Sequence, residues 1–294
     1  MKNETLIKMK INSRNSLNPI GRGAAILLTV CLSFAGFNLR AEDHPPKFRV
    51  IAFYTGKNDL AHISFVHEAN AWLPAAATNH GFSYEATDDW TKLNAPFLSH
   101  YQVVLFLDTR PDDPAQRAAF RQYMENGGAW MGFHFAAFAL TPSDYPENWD
   151  WYHDDFLGSG QYVSNTWRPT GAVLRVEDRT HPATRHLPAT FLSAPNEWYR
   201  WSNDLRTNSN IKILLSIDPA SFPLGTGPKP YEIWHEGYYP VVWTNTKYRM
   251  IYLNMGHNDM DYEHKTNKQL SATFANETQD QLIIDGLLWL GKAQ

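Results

Sequence analysis

The chain has 294 residues, 43% of them apolar, enough to bury a full core without division into several domains. Its formal charge is −4 and no basic run follows residue 41, which argues against a nucleic-acid partner. A single cysteine, Cys31, excludes an intramolecular disulfide.

Lys2, Lys8, Lys10, Arg14 and Arg22 precede an apolar run over residues 24–37. Asn38-Leu39-Arg40-Ala41 follows, then the polar Glu42-Asp43-His44-Pro45-Pro46. A basic start, an apolar run and a small-residue boundary predict a signal peptide over residues 1–41 and a single mature α/β domain over 42–294. The expected location is the periplasm or the medium. The run is short for a bilayer span, so no stable membrane span should remain after its removal. Leu39 suits the position three residues before the cut poorly, which keeps an uncleaved N-terminal anchor as the alternative. Cys31 is not read as a lipidation site, because Val30 before it is not small and apolar residues continue past it. Cleavage would remove the only cysteine. It would also remove six of the 26 basic residues and one of the 30 acidic ones, taking the formal charge from −4 to −9.

Phe48-Arg49-Val50-Ile51-Ala52-Phe53-Tyr54 reads as a buried strand that ends at Thr55-Gly56. Residues 61–79 have helical spacing (Phe65, Ala69, Trp72, Leu73, Ala76), interrupted by Pro74 and stopped at Asn79-His80-Gly81. Residues 82–86 alternate as a second strand, and residues 101–108 form the apolar run expected of a central parallel strand. Asp113-Pro114 then caps and opens a helix through Met124. After Gly127-Gly128, the run Ala129-Trp130-Met131-Gly132-Phe133 reaches His134 where its strand should end. This β-α-β-α-β-α-β series predicts a doubly wound, mostly parallel sheet. Residues 141–167, rich in Trp, Tyr, Asp, Gly and Asn, read as a long functional loop insertion with a short helix over 149–156. Strands are predicted over 172–176, 211–217, 239–243 and 249–253. A C-terminal helix over 276–290 should turn Leu282, Ile283, Gly286, Leu287 and Leu290 inward.

Open α/β sheets bind ligands at the carboxyl ends of their strands, and a sharp elbow there presents one side chain outward. Gly132-Phe133-His134-Phe135-Ala136 is similar to the Gly-x-Cys-x-Gly elbow of glutamine amidotransferases, with histidine in the cysteine's place. Histidine can act as base, acid or metal ligand but cannot form the acyl enzyme, so amidotransferase chemistry is excluded. His257, after Asn254-Met255-Gly256, ends another predicted strand, and two such histidines can meet in one cleft; otherwise each is a satisfied core residue. The catalytic candidates are therefore His134, His257 and Glu197, the last set among Trp198, Tyr199 and Trp201. A structural ion pair with Arg200 or Arg206 is the other reading of Glu197. The substrate-binding candidates are Trp151, His153, Trp198, Asn258 and Asp108. Trp151 and His153 lie in the long loop beside Tyr152, Asp154 and Asp155, whose other reading is a solvated acidic loop. Asp108 ends the third strand, where it could instead start a turn.

Eleven tryptophans after residue 43 serve either as core or as stacking surfaces for pyranose rings. His62 and His67 are five residues apart on one helix, so only one can face the site, and His62 is nearer the helix start. His181 before Pro182 reads as turn structure; His80, His100, His186 and His264 read as surface residues. His134 and His257 with nearby carboxylates suit Zn²⁺ or a similar divalent ion, although no fixed metal-binding spacing occurs. Gly127-Gly128 precedes its strand rather than following one, so it is not a phosphate loop. No Gly-x-Ser-x-Gly occurs.

Four segments occur in order: Asn126-Gly127-Gly128-Ala129-Trp130-Met131-Gly132-Phe133-His134, then Thr180-His181-Pro182-Ala183-Thr184 with Pro195-Asn196-Glu197-Trp198-Tyr199. Tyr239-Pro240-Val241-Val242-Trp243 and Arg249-Met250-Ile251-Tyr252-Leu253-Asn254-Met255-Gly256-His257-Asn258 complete the set. In these the chain resembles the ThuA-like family, named for a trehalose-utilisation protein, over about residues 47–291. The resemblance implies a flavodoxin-like, class I glutamine amidotransferase-like fold and a sugar-related role, and it gives His67 some weight. The expected function is an exported enzyme acting on a small carbohydrate, a sugar or keto-glycoside, with His134 and His257 at the centre. A two-carboxylate glycoside hydrolase pairing Glu197 with Asp108 or Asp154, and a non-catalytic periplasmic carbohydrate-binding module, are the alternatives.

Terminal sequencing of protein recovered from the native cell should begin near Glu42. An intact Met1 on a cytoplasmic product would overturn the export reading.

Overall fold

The apolar segments of the first half pair side by side, and the computed structural model describes residues 45–57, 59–140, 149–221, 234 and 236–292. The segment read as a signal peptide, and residues 141–148 of the predicted loop, lie outside the described residues. The strands are β1 (Arg49–Phe53), β2 (Ser83–Thr87), β3 (Val103–Phe106), β4 (Ala129–Phe133), β5 (Tyr162–Asn165) and β6 (Val173–Val176). They continue with β7 (Thr190–Leu192), β8 (Tyr199–Trp201), β9 (Ile211–Ile217), β10 (Tyr239–Asn245) and β11 (Tyr248–Leu253). The helices are α1 (Leu60–His80), α2 (Ala95–Leu98), α3 (Pro114–Glu125) and α4 (Glu277–Leu290).

Nine strands form one sheet in the order β2-β1-β3-β4-β11-β10-β9-β6-β7. From β2 to β11 every pairing is parallel, and from β11 to β7 every pairing is antiparallel. The parallel part has the doubly wound, flavodoxin-like order. Its β3 and β4 are buried along their whole length, as strands covered on both faces must be. Side chains alternate between the two faces. Val50, Ala52, Met131 and Phe133 join α1 and α4 on one side, while Ile51, Phe53 and Trp130 join Phe120 and Met124 of α3 on the other.

Local signals set the helix ends. The Asp113 carboxylate accepts from the N–H groups of Ala115 and Gln116, with Pro114 at the first helical position. Asn276 caps α4 in the same way, and Leu282, Ile283, Gly286, Leu287 and Leu290 are buried. Asp59 caps α1, and Gly81 ends it with φ +78°. One expectation needs correction: α1 runs through Pro74 without interruption. An interior proline costs about 3 kcal/mol, yet Leu73, Ala76 and Ala77 stay buried beyond it, and that packing outweighs the lost hydrogen bond. The short helix expected over 149–156 is a π-helical turn, Trp151–Phe156. Short β5, β7 and β8 and the one-turn α2 carry too little periodicity to be read from sequence. β5 and β8 form a separate antiparallel pair. Among the described residues no helix is long and apolar enough to cross a membrane.

One acid in this frame is poorly placed for its charge. Burial pushes the Asp280 carboxyl up to about 7, with Glu68 and Glu277 adding repulsion and the Trp72 side chain opposing it weakly. A raised carboxyl pKa costs the folded state nothing below the unfolded value near 4; the penalty grows as pH rises towards 7 and is complete above it. Asp280→Asn should therefore raise the melting temperature at pH 8 and leave it unchanged at pH 4. Thermal melts at the two pH values check this, and an equal gain at both would show that charge is not the cause.

Candidate functional site

β4 and β11 are parallel neighbours with Phe133 opposite Leu253, so the chain leaves the sheet at two adjacent points on the carboxyl edge. His134 follows β4 directly and takes φ +41°, a left-handed conformation that costs a non-glycine residue about 1–2 kcal/mol. The Tyr252 hydroxyl donates to the His134 carbonyl at 2.8 Å and pins this elbow. Beyond β11, Gly256 turns the chain with φ +130°. A Cβ on Gly256 would lie 3.1 Å from the Phe133 Cβ and 3.2 Å from the His134 Cβ. Only glycine allows so close an approach, and it brings His257 beside His134. His62 enters from the first turn of α1. The three ring centroids form a nearly equilateral triangle: His62–His134 5.2 Å, His62–His257 5.1 Å and His134–His257 5.2 Å.

Glu197 completes the group. Its Oε2 lies 3.4 Å from His134 Nε2 and 3.8 Å from His257 Nε2. Two buried asparagines hold it there. Asn254, at the end of β11, accepts from the Tyr199 N–H at 3.1 Å and donates to the Tyr199 carbonyl at 2.9 Å. Asn196, in return, accepts from the N–H groups of Gly256 and His257. Residue 197 lies between these anchors. The Tyr199 ring covers that of His134, with centroids 3.9 Å apart.

Burial pushes His134, His62 and His257 each down to about 3. The neighbouring imidazoles depress His62 and His257 further, while Asp59 and, for His257, Glu197 pull the other way. All three rings are therefore neutral at neutral pH. Burial alone would raise Asp59, but the Tyr262 hydroxyl, His257, His62 and the Ala61 N–H together hold its carboxyl below the usual value. The ligand-capable nitrogens of the three histidines lie within 4.8 Å of one another, the one such cluster among the described residues.

Of the residues expected from sequence, His134, His257 and Glu197 come together, and the open choice between His62 and His67 falls to His62; His67 is exposed. The other candidates are used elsewhere. The Asp108 carboxylate accepts from the Thr55 N–H, the Thr55 hydroxyl and the Gly56 N–H, which ties down the loop between β1 and α1. Trp198 is fully buried and donates to the Thr170 carbonyl, so neither ring face is open to a sugar. Trp151 is enclosed by Phe156, Tyr248 and the Arg121 guanidinium. His153 is buried with its Nδ1 against the Trp149 backbone. Asn258 is a scaffold residue: it donates to Ser64 and Glu68 and accepts from Thr273. Each of these side chains is engaged with neighbours inside the fold rather than with the histidine group. His181 is the turn residue expected, its Nδ1 accepting from the Ala183 N–H. Sequence reasoning missed Asp59, Asn196, Tyr199 and Asn254, although the last three lie within the quoted motifs.

The model of the ThuA family, described as trehalose utilisation, matches residues 49–289. This chain belongs to the ThuA family. It is similar to a ThuA-like protein from Bacteroides uniformis with 36% identity and a TM-score of 0.72, over 83% of this chain and 91% of that one. A ThuA-like protein from Parabacteroides merdae shares the fold at 20% identity and a TM-score of 0.56, over 84% and 90% of the two chains. No curated protein matches the chain. At its elbow this ThuA-family chain holds His134 in a left-handed backbone conformation and presents an imidazole from it.

That strain is measurable. His134→Gly should be more stable than His134→Ala by about 1 kcal/mol, since both lose the ring but only glycine relieves the left-handed φ. Urea unfolding of the two variants checks it, and equal stabilities would mean the elbow stores no strain.

Proposed function

We propose that this ThuA-family protein is an exported enzyme that processes a small carbohydrate by acid–base chemistry centred on His134, His257 and Glu197. The observation that carries the reading is the convergence of neutral imidazoles and one carboxylate at adjacent strand ends, the position where such sheets bind ligands. The family description, trehalose utilisation, supports the sugar. So does a neighbouring cavity of about 770 Å³ lined by Trp167, Tyr262, Asp259, Asp261 and Lys268. The Trp167 and Tyr262 rings are 5.4 Å apart there, an aromatic wall with polar groups around it, which suits a pyranose. The Tyr262 hydroxyl donates to Asp59 at 2.6 Å, the carboxylate that interacts electrostatically with His62 and His257.

A keto-glycoside is the substrate class that fits these groups best. A ketone at C3 acidifies the hydrogen on C2. Glu197 accepts that proton, an imidazole N–H donates to the developing enolate oxygen, and the C1 substituent leaves with its bonding electrons. The route needs no nucleophilic serine or cysteine. The two partners that the sequence offered Glu197 for the glycosidase alternative are placed otherwise: Asp108 is engaged with Thr55 and Gly56, and Asp154 is exposed beside Asn203.

Incubation with a panel of glycosides and their 3-keto forms should reveal turnover of a keto form. On that substrate His134→Ala, His257→Ala and Glu197→Gln should each lose roughly 10²–10⁴-fold in kcat. Glu197→Gln changes shape least and should keep the fold by circular dichroism. Wild-type turnover in all three would remove these residues from catalysis. Saturable sugar binding without turnover of any panel member would favour a binding module.

A further inference from the structure

We propose that His62, His134 and His257 form a tripod for one divalent transition-metal ion, Zn²⁺ foremost, with Glu197 beside it as proton acceptor rather than ligand. The inference deepens the carbohydrate reading, because such an ion would replace the imidazole N–H in polarising the sugar oxygen on which charge develops.

The geometry argues for a metal over a mere cluster. With Zn–N bonds of about 2.0–2.1 Å, three imidazoles at tetrahedral angles place their ring centroids about 5.2 Å apart, whereas mutual right angles would give about 4.5 Å. The observed separations are 5.2, 5.1 and 5.2 Å. The nitrogens, up to 4.8 Å apart, need only small ring rotations to close to the roughly 3.4 Å of such a site. Three ligands from three elements, the start of α1 and the ends of β4 and β11, make a support that neither a single loop nor a single helix could distort.

Unsatisfied atoms point the same way. His62 Nε2, His134 Nε2 and His257 Nδ1 are buried and lack hydrogen-bond partners. One such atom costs about 1–3 kcal/mol, and three in one place call for a common partner that the side chains do not supply. The Asn254 carbonyl faces His134 Nδ1 at 3.4 Å, the outer contact that fixes a ligating imidazole's tautomer and turns the Nε2 lone pair towards the cluster. An all-imidazole set selects zinc, copper, nickel or cobalt over magnesium or calcium, which prefer oxygen. A tetrahedral ion keeps its fourth position for a substrate or water oxygen. Glu197 Oε2, 3.4 Å from His134 Nε2, is placed to take the proton of a group bound there.

The test reads metal binding without any sugar, so its failure leaves the carbohydrate reading standing. The full chain, freed of metal with a chelator, is titrated with Zn²⁺ alone by calorimetry and with Co²⁺ alone by visible absorption. Expected are one ion per chain and an intense, tetrahedral-type Co²⁺ spectrum. His62→Gln, His134→Ala and His257→Ala should each weaken binding by more than about 100-fold, and Glu197→Gln by less than about 10-fold. His62→Gln alters a partly exposed position on α1, and its melting temperature shows whether the fold survives. No stoichiometric uptake by the wild-type chain, or a folded His62→Gln that binds Zn²⁺ as tightly as wild type, overturns the tripod. Loss of the ion in Glu197→Gln would make Glu197 a ligand and overturn its assignment as proton acceptor.

Discussion

The site depends on an exchange of hydrogen bonds between two buried asparagines. Asn254 reaches from the end of β11 to both backbone groups of Tyr199, and Asn196 reaches back to the N–H groups of Gly256 and His257. Both side chains are wholly buried. An isolated pair of short strands such as β5 and β8 is marginal in water, so this segment relies on its attachment to the main sheet. A buried backbone group left unpaired costs about 1–3 kcal/mol, and each asparagine satisfies two of them at once. The carboxylate of Glu197 faces two imidazoles from the other side of the chain because these bonds leave its backbone no other course.

The rest of the architecture makes that exchange possible. Parallel pairing sets the ends of β4 and β11 side by side, and Gly256 removes the side chain that would hold them apart. Asn254, directly after β11, then ties the first residue of β8 to that edge. The aromatic load goes mostly into packing. Trp130, Trp198, Trp234 and Trp243 are fully buried, and Trp243 and Trp198 give their indole N–H groups to backbone carbonyls.

Electrostatics explains why the centre is built from histidines. Burying three ammonium or three carboxylate groups together would cost far more than the fold's marginal stability, whereas neutral imidazoles bury at the price of their hydrogen bonds alone. Desolvation keeps the rings uncharged, so each presents one N–H to donate and one lone pair to give. Asp59, held by a hydrogen bond from Tyr262, keeps its carboxyl below the usual value beside these rings.

Much of this was legible in the order of residues. Continuous apolar runs marked β1, β3 and β4; Asp113-Pro114 and Asn276 marked helix starts; and His134 and His257 stood after strand-like runs, so their common edge followed from parallel pairing. Those features are local, set by side-chain periodicity, capping and backbone preference, and a single sequence carries them in full. The partners of Glu197, the selection of His62 over His67 and the scaffold duties of Asp108, Asn258 and Trp198 were not legible. Each depends on which residue, tens or hundreds of positions away, lies within about 3 Å, as when Asn258 meets Glu68 or Asp108 meets Thr55. Sequence alone determined the sheet and the edge where two histidines end their strands; tertiary packing decided which polar groups there remain unpaired, because hydrogen-bond satisfaction is settled only when distant segments meet.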